Sequence, residues 1–254
     1  MEAGGTALVT GVSSGLGLGL AEALLERGWR VLGLSRRPPP EALLGAGLVH
    51  RSCDLREPAA PGPALGALLE GVEGLDLVVL NAGVLGRVGR LVDQPLEEAQ
   101  EVMAVNLWAN KTVMDHLHRW GRPVAQVVMV SSGASRTGNQ GWGAYSLSKA
   151  ALNMLARLYA HDFPQTHVSA LAPGVVETPL MERLCADPRA RAFPAVQRVC
   201  AARGTPAMPA PREAAERVLG ALERLRERPS GDFVDLRELL DPEAYRRLYG
   251  RPPP

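Results

Sequence analysis

Residues 6–37 read TALVTGVSSGLGLGLAEALLERGWRVLGLSRR. The first five are a short apolar, β-branched run closed by glycine, the pattern of a buried strand. Gly11-Val12-Ser13-Ser14-Gly15-Leu16-Gly17 follows, and Leu20, Leu24 and Leu25 then recur at helical spacing. Residues 29–35 form a second strand, so the stretch is one strand–helix–strand unit. Strand, glycine turn and helix in that order aim backbone N–H groups and a positive helix end at a phosphate. The glycines let the chain turn tightly and let a ligand approach the backbone. The second strand ends Leu34-Ser35-Arg36-Arg37 with no acid. A carboxylate there would bond a ribose diol, whereas an arginine accommodates a 2′-phosphate. Arg36, and less directly Arg37, therefore point to a phosphorylated ribose rather than to a solvated surface pair.

Downstream, the alternation repeats. Residues 48–53 read as a third strand ended by Asp54-Leu55, where Asp54 is either a turn residue or faces an adenine. A short helix is expected over 58–69 and a fourth strand over 75–80. Asn81-Ala82-Gly83 leaves that strand, with small residues that admit a flat ligand. Residues 95–118 have the pattern of one long helix. Asn106 lies inside its apolar run, and a buried amide needs partners, so it is a structural cross-link or the holder of an ordered water. His116 and His118 do not share a helix face, and no metal site is expected.

Residues 127–150, VVMVSSGASRTGNQGWGAYSLSKA, carry the chemistry. A strand, a glycine-rich loop and a helix bring Ser132 back toward Tyr145, and Tyr145 and Lys149 share one helix face. A phenol titrates near ~10, and a neighbouring ammonium should lower it into a range useful for acid–base catalysis. Of the 28 lysines and arginines only Lys111 and Lys149 are lysines. A compact, tunable ammonium beside a tyrosine is thus set apart from the chain's general cation. A sixth strand over 167–172 leads into Pro173-Gly174-Val175-Val176-Glu177-Thr178. Residues 181–211, rich in arginine, alanine and proline with poor periodicity, suit a mobile cover over the pocket, with a disordered stretch or an oligomer contact as the alternatives. A last amphipathic helix over 212–228 and an edge strand over 231–234 follow, and the RPPP end reads as frayed. Strands alternating with helices imply an α/β, doubly wound parallel sheet with helices on both faces and a ligand at its carboxyl edge.

Composition narrows the function classes. The 254 residues are 46% hydrophobic and 22% charged, ordinary for a globular chain that buries a large core. A formal net charge of +1 argues against nucleic-acid or membrane-surface binding through bulk charge. The start of the chain lacks a cationic region followed by a long apolar run, so no signal peptide is expected, nor a membrane span. Three widely spaced cysteines, Cys53, Cys185 and Cys200, suggest neither a disulfide framework nor a metal knuckle, and reduced cytoplasm fits best.

These motifs together resemble the short-chain dehydrogenase/reductase family over roughly residues 5–235. The matching segments are Thr10-Gly11-x3-Gly15-x-Gly17, Asn81-Ala82-Gly83, Asn106, Ser132, Tyr145-x3-Lys149, and Pro173-Gly174 with Thr178. Leu80 stands where the family often has a second asparagine, and the 181–211 segment is unusually proline-rich. A weaker likeness, in GWGAYSLSKAAL and the late DLRE, is to the sepiapterin- and benzil-reductase-like branch. The resemblance implies a single Rossmann-type domain over 1–254 with a substrate lid at about 180–211. It implies an enzyme that moves hydride between NADP(H), in preference to NAD(H), and a small ketone or alcohol. A regulatory protein without turnover, or an epimerase or dehydratase on the same scaffold, are the competing expectations. Tyr145 would be the acid–base and Ser132 would bond the carbonyl. Lys149 would hold the nicotinamide ribose, and Asn106 would anchor a water to Lys149. Gly11, Ser13, Ser14, Gly15, Leu16 and Gly17 would cradle the pyrophosphate, with Ser35, Arg36 and Arg37 at the 2′-phosphate and Asp54 and Leu55 at the adenine. Asn81, Ala82, Gly83, Pro173, Gly174, Val176 and Thr178 would complete the cofactor site. Gln140 and Trp142 would join Ser132 and Tyr145 around the substrate. A homodimer or homotetramer is expected, with Trp108, Met114, Leu155 and Leu158 in the contact.

Overall fold

The computed structural model describes residues 4–250; residues 1–3 and the RPPP end read as frayed lie outside that range. Strands β1 (Thr6–Thr10), β2 (Arg30–Ser35), β3 (Leu48–Ser52), β4 (Leu77–Leu80), β5 (Gln126–Val130), β6 (His167–Ala172) and β7 (Phe233–Asp235) form one sheet in the order β3-β2-β1-β4-β5-β6-β7. Every pairing is parallel. Helices α1 (Gly15–Glu26), α2 (Glu41–Gly45), α3 (Pro61–Leu69), α4 (Leu96–Met103), α5 (Ala109–Trp120), α6 (Ala134–Thr137) and α7 (Gly143–Asp162) alternate with the first six strands. After β6 come α8 (Pro179–Ala186), α9 (Pro194–Ala201), α10 (Pro211–Gly220) and α11 (Leu222–Arg226), and after β7 come α12 (Leu236–Leu240) and α13 (Pro242–Tyr249). This is the doubly wound Rossmann-type sheet, and its order reverses between β1 and β4, where a crevice opens at the carboxyl edge.

The period-two alternation of the strands decides which helices cover each face. Ala7, Val9, Val31, Leu77, Val79, Val128 and Val130 point to one side and pack against Leu20 and Leu24 of α1 and Ala215, Val218 and Leu222 of α10 and α11. Leu8, Leu32, Leu34, Val78, Leu80, Val127 and Met129 point to the other and meet Leu65 of α3, Met114 and Leu117 of α5, and Leu152 and Ala156 of α7. Gly17 lies where α1 crosses the end of β1. A Cβ there would run into the carbonyl oxygen of Gly11, so only glycine lets the helix start so close to the turn.

Several expectations change. The helix expected over 95–118 is two helices joined by a π turn at Ala104–Trp108, and the turn contains Asn106. The helix expected over 212–228 breaks at Ala221, between α10 and α11. Met114 is fully buried and Leu155 packs beside that core, so neither lies on an outer apolar face. The outward apolar residues on these helices are Leu96, Trp108, Leu147, Met154 and Leu158. The segment after Thr178 is largely helical: α8, a 3-10 turn at Pro188–Ala192 and α9 occupy it up to Ala201, and residues 202–210 are turns and irregular chain. Each of the three starts with proline, which presets the first helical φ and gives up an N–H the helix would leave unpaired anyway. The reading of three unpaired cysteines is also wrong. Cys185 and Cys200 form a disulfide clipping α8 to α9, and only Cys53 is free. Spacing along the chain could not show this, because the pairing depends on how α8 and α9 pack against each other. Among the described residues no helix is long and apolar enough to cross a membrane.

Candidate active site

The carboxyl ends of β1 and β4 are clamped first. Thr10 Oγ1 accepts the N–H groups of Asn81 (2.9 Å) and Ala82 (3.0 Å), and Asn81 Nδ2 donates back to the Thr10 carbonyl (3.0 Å). The Asn81 side chain thus builds the crevice, leaving Ala82 and Gly83 to line it. Gly11 N–H closes the glycine turn onto the Leu34 carbonyl at 2.8 Å. Ser14 precedes α1 in extended conformation and its side chain caps nothing, so the first-turn N–H groups lack a side-chain acceptor. That is the arrangement a diphosphate fits. Thr178 stands across from the turn: a Cβ on Gly15 would lie 3.1 Å from its methyl group. Its hydroxyl accepts the Met181 N–H at 3.3 Å and caps α8.

At the end of β2, Ser35 Oγ donates to the Arg37 carbonyl (2.7 Å) and lies 3.1 Å from His50 Nε2. Ser52 Oγ donates to the Arg36 carbonyl (2.9 Å). The backbone of the two arginines is therefore pinned while both side chains reach solvent. His50 and Ser52 were not read from the sequence, since their role depends on the β2–β3 register. Asp54 is already engaged. It accepts the Arg56 N–H (3.0 Å) and pairs with the Arg56 guanidinium (2.6 Å), which with nearby Arg36 holds its carboxyl down at about 2.

Tyr145 and Lys149 project from the first two turns of α7, and Ser132 leaves the end of β5. Ser132 Oγ accepts the Ala134 N–H at 3.2 Å, and the Ser132 side chain is near enough to the Tyr145 phenol to pull its proton affinity down. Lys149, 4% exposed, donates to the Val130 carbonyl at 2.6 Å, and its Nζ lies 5.8 Å from the Tyr145 ring centroid. Burial lowers the lysine to about 8. Burial also raises the phenol, against a smaller lowering by the Ser132 hydrogen bond. This reverses the expected depression of Tyr145: the ammonium is turned to a carbonyl, and loss of solvent dominates.

Asn106 is completely buried, and its side chain is a cross-link. It accepts the Val84 N–H (2.8 Å) and donates to the Val84 carbonyl (2.8 Å) and to Ser148 Oγ (3.0 Å). Ser148 in turn donates to the Tyr145 carbonyl at 2.8 Å. The segment leaving Gly83 is thereby fixed to the helix bearing the tyrosine. Asn110 donates to the Asn106 carbonyl at 2.7 Å. Gly83 faces the same space, where a Cβ would sit 3.3 Å from Asn106 Oδ1 and 3.6 Å from Lys149 Nζ. On the far side, Trp142 stacks obliquely on Tyr145 with ring centroids 6.2 Å apart. It joins Val88, Leu184, Phe193 and Val196 in an apolar cluster that includes the Cys185–Cys200 bridge. Gln140, expected near the substrate, is exposed beside this wall. Pro173 and Gly174 follow β6 at the crevice, and Val176 is buried in the core on the α1 side.

A glycine turn, a clamped crevice, and a serine–tyrosine–lysine group at one sheet edge now stand together. The family model for short chain dehydrogenase matches residues 5–189. The chain belongs to the short chain dehydrogenase family. It is an NAD(P)-dependent oxidoreductase. An uncharacterized oxidoreductase of Schizosaccharomyces pombe is 34% identical over 179 residues, covering 68% of this chain and 71% of that protein. A 1-deoxy-11-beta-hydroxypentalenate dehydrogenase of Streptomyces exfoliatus is 34% identical over 194 residues, covering 71% and 70%. Among solved structures, a short chain dehydrogenase/reductase of Saccharomyces cerevisiae superposes with TM-score 0.79 at 23% identity, covering 91% of this chain and 96% of that one. That likeness concerns the fold.

Proposed function

We propose that the protein is a carbonyl reductase or alcohol dehydrogenase that prefers NADP(H) and acts on a small, largely apolar ketone or its alcohol. The observation that carries this reading is the Ser132–Tyr145 hydroxyl pair, with buried Lys149 one turn on, at the sheet edge beside the glycine turn. The bound cofactor supplies or accepts hydride at the carbonyl carbon. Residues Gly11 to Gly17 hold its diphosphate, Ser35, Arg36 and Arg37 its 2′-phosphate, and Lys149 its nicotinamide ribose. Ser132 donates to the carbonyl oxygen before charge develops there, which is where fixed donors matter most. Tyr145 gives its proton to that oxygen in reduction and takes it back in oxidation. Burial keeps the phenol protonated but weakens it as an acid, which Lys149, once drawn off the Val130 carbonyl, offsets. Trp142, Val88, Leu184, Phe193 and Val196 exclude water and favour an apolar substituent.

In the same reading the chain is one domain, with residues 180–211 as the substrate lid, assembled as a homodimer or homotetramer. A cytoplasmic location belongs to it too, where reducing conditions would tend to open the Cys185–Cys200 bridge. A panel of ketones and diketones, followed by loss of NADPH or NADH absorbance, tests class and cofactor together. Arg36→Ala should weaken NADPH by roughly tenfold and leave NADH nearly unchanged, since a charge-assisted bond to the 2′-phosphate is lost. Equal use of NADH by the unaltered protein sinks the cofactor preference; no turnover with any carbonyl sinks the catalytic reading.

A further inference from the structure

The catalytic helix α7 begins without a cap of its own. Trp142, the residue before it, has helical φ and ψ, and its side chain accepts no hydrogen bond from the first turn. The N–H of Ala144, in that turn, is satisfied from 50 residues away by Gln94 Oε1 at 2.9 Å. The other end of the same amide, Nε2, donates to the Arg87 carbonyl at 2.6 Å. Gly143 makes room for the contact. Its φ is +37°, and a Cβ there would collide with the Gln94 carboxamide. The seam continues where Gly89 N–H bonds the Gly141 carbonyl at 3.3 Å. Ala144 directly precedes Tyr145, and Tyr145 N–H bonds back to the Trp142 carbonyl at 3.0 Å.

We infer that Gln94 is a positioning residue: it supplies a borrowed cap that fixes the first turn of α7 and so the direction of the Tyr145 phenol toward Ser132. The inference rests on the catalytic reading above for its kinetic part and on geometry alone for its structural part. Asn106 acts on the same turn through Ser148 and the Tyr145 carbonyl, so the tyrosine is held from two sides. The donor and the acceptor of Gln94 do separate work. Nε2 fixes the 87–94 loop, and Oε1 holds the helix. Glutamate keeps the acceptor and loses the donor, which separates helix capping from loop anchoring.

The test compares full-length wild type, Gln94→Ala and Gln94→Glu by ketone turnover, NADPH titration and amide hydrogen exchange of the peptide spanning residues 141–149. Gln94→Ala should cut kcat roughly 10- to 100-fold with NADPH affinity within about twofold, because a small misdirection of a reacting group is costly while the diphosphate site is untouched. The pH at which its rate falls should shift as well, since the first turns of α7 carry both Tyr145 and Lys149 and the surroundings of the pair change. Gln94→Glu should recover most of the loss, and exchange should quicken only in the alanine variant. A kcat for Gln94→Ala within twofold of wild type overturns the inference. So does an equal loss in both variants accompanied by lost NADPH binding, which marks a general folding role. If exchange quickens as expected but wild type itself turns nothing over, the helix anchor stands and the catalytic reading fails.

Discussion

Tyr145 and Lys149 sit under opposed demands. Burial raises the phenol and lowers the ammonium to about 8, so in the ligand-free protein the pair is a protonated tyrosine beside a lysine close to losing its charge. For reduction both must be protonated, the first to give a proton and the second to make the phenol a stronger acid. The lysine is charged below about 8 and neutral above, so kcat/KM for reduction should be flat at lower pH and fall as pH rises through that value. A profile that holds level to pH 10 would count against Lys149 as the controlling group. Lys149→Arg preserves charge but replaces a compact ammonium with a rigid fork, and it should not restore activity. Tyr145→Phe keeps the ring against Trp142 and removes only the hydroxyl. It should lower kcat by roughly a hundredfold or more while NADPH titration stays normal. An active Tyr145→Phe protein that folds and binds cofactor ends the mechanism.

At the scale of elements, the two short helices after β6 are held by the single covalent bridge in the described part of the chain. Cys185 and Cys200 are 15 residues apart, and closing a loop of that length stabilises by up to about 3 kcal/mol in the chain-entropy account. Here the effect is local, since α8 and α9 otherwise rest on the small cluster around Trp142, Phe193 and Val196. Dithiothreitol, or Cys185→Ser, should therefore raise KM for the ketone several-fold and leave NADPH affinity unchanged. Trypsin should also cut faster after Arg183, Arg189, Arg191 and Arg198, all exposed on this segment. Unchanged cleavage and KM after reduction would show that packing alone holds the segment. The bridge was invisible in the sequence, whereas the strands were not. A buried parallel strand announces itself as an apolar run, and the glycine turn, the crevice residues and the tyrosine–lysine pair follow from short local patterns. What stayed hidden depends on contacts between distant residues. Asn106 could be read as buried and in need of partners, but not that a π turn carries it. Gln94 carries no local signal of its role, because its partner is 50 positions on. The direction of the Tyr145 shift was misread for a related reason: spacing shows which groups are near and says nothing about how much water each has lost.

At the scale of the whole molecule, helix α7 presents an apolar face that its own packing leaves uncovered. Helix α7 buries Ser148, Lys149, Leu152, Ala156 and Tyr159 inward, and this face builds both the site and the second core. On the other side Leu147, Met154 and Leu158 are 52%, 51% and 55% exposed. Their spacing of seven and four residues lines them up as a helical stripe. Trp108, 54% exposed, presents a further large apolar side chain from the π turn that packs against α7. Apolar stripes of this kind on a soluble surface mark contacts between chains, and a two-fold axis would set each stripe on its own copy. The 27.1 kDa chain should therefore run in light scattering at two or four times its mass at micromolar concentration. Leu158→Arg or Met154→Glu should shift it toward monomer without loss of the folded circular-dichroism signal, because neither side chain reaches the core. Activity offers a second reading. The stripe and the catalytic face belong to one helix, so separating the copies should loosen α7 and lower kcat more than it changes KM for NADPH. A monomeric mass for the unaltered protein would leave the stripe without a partner and sink the assembly.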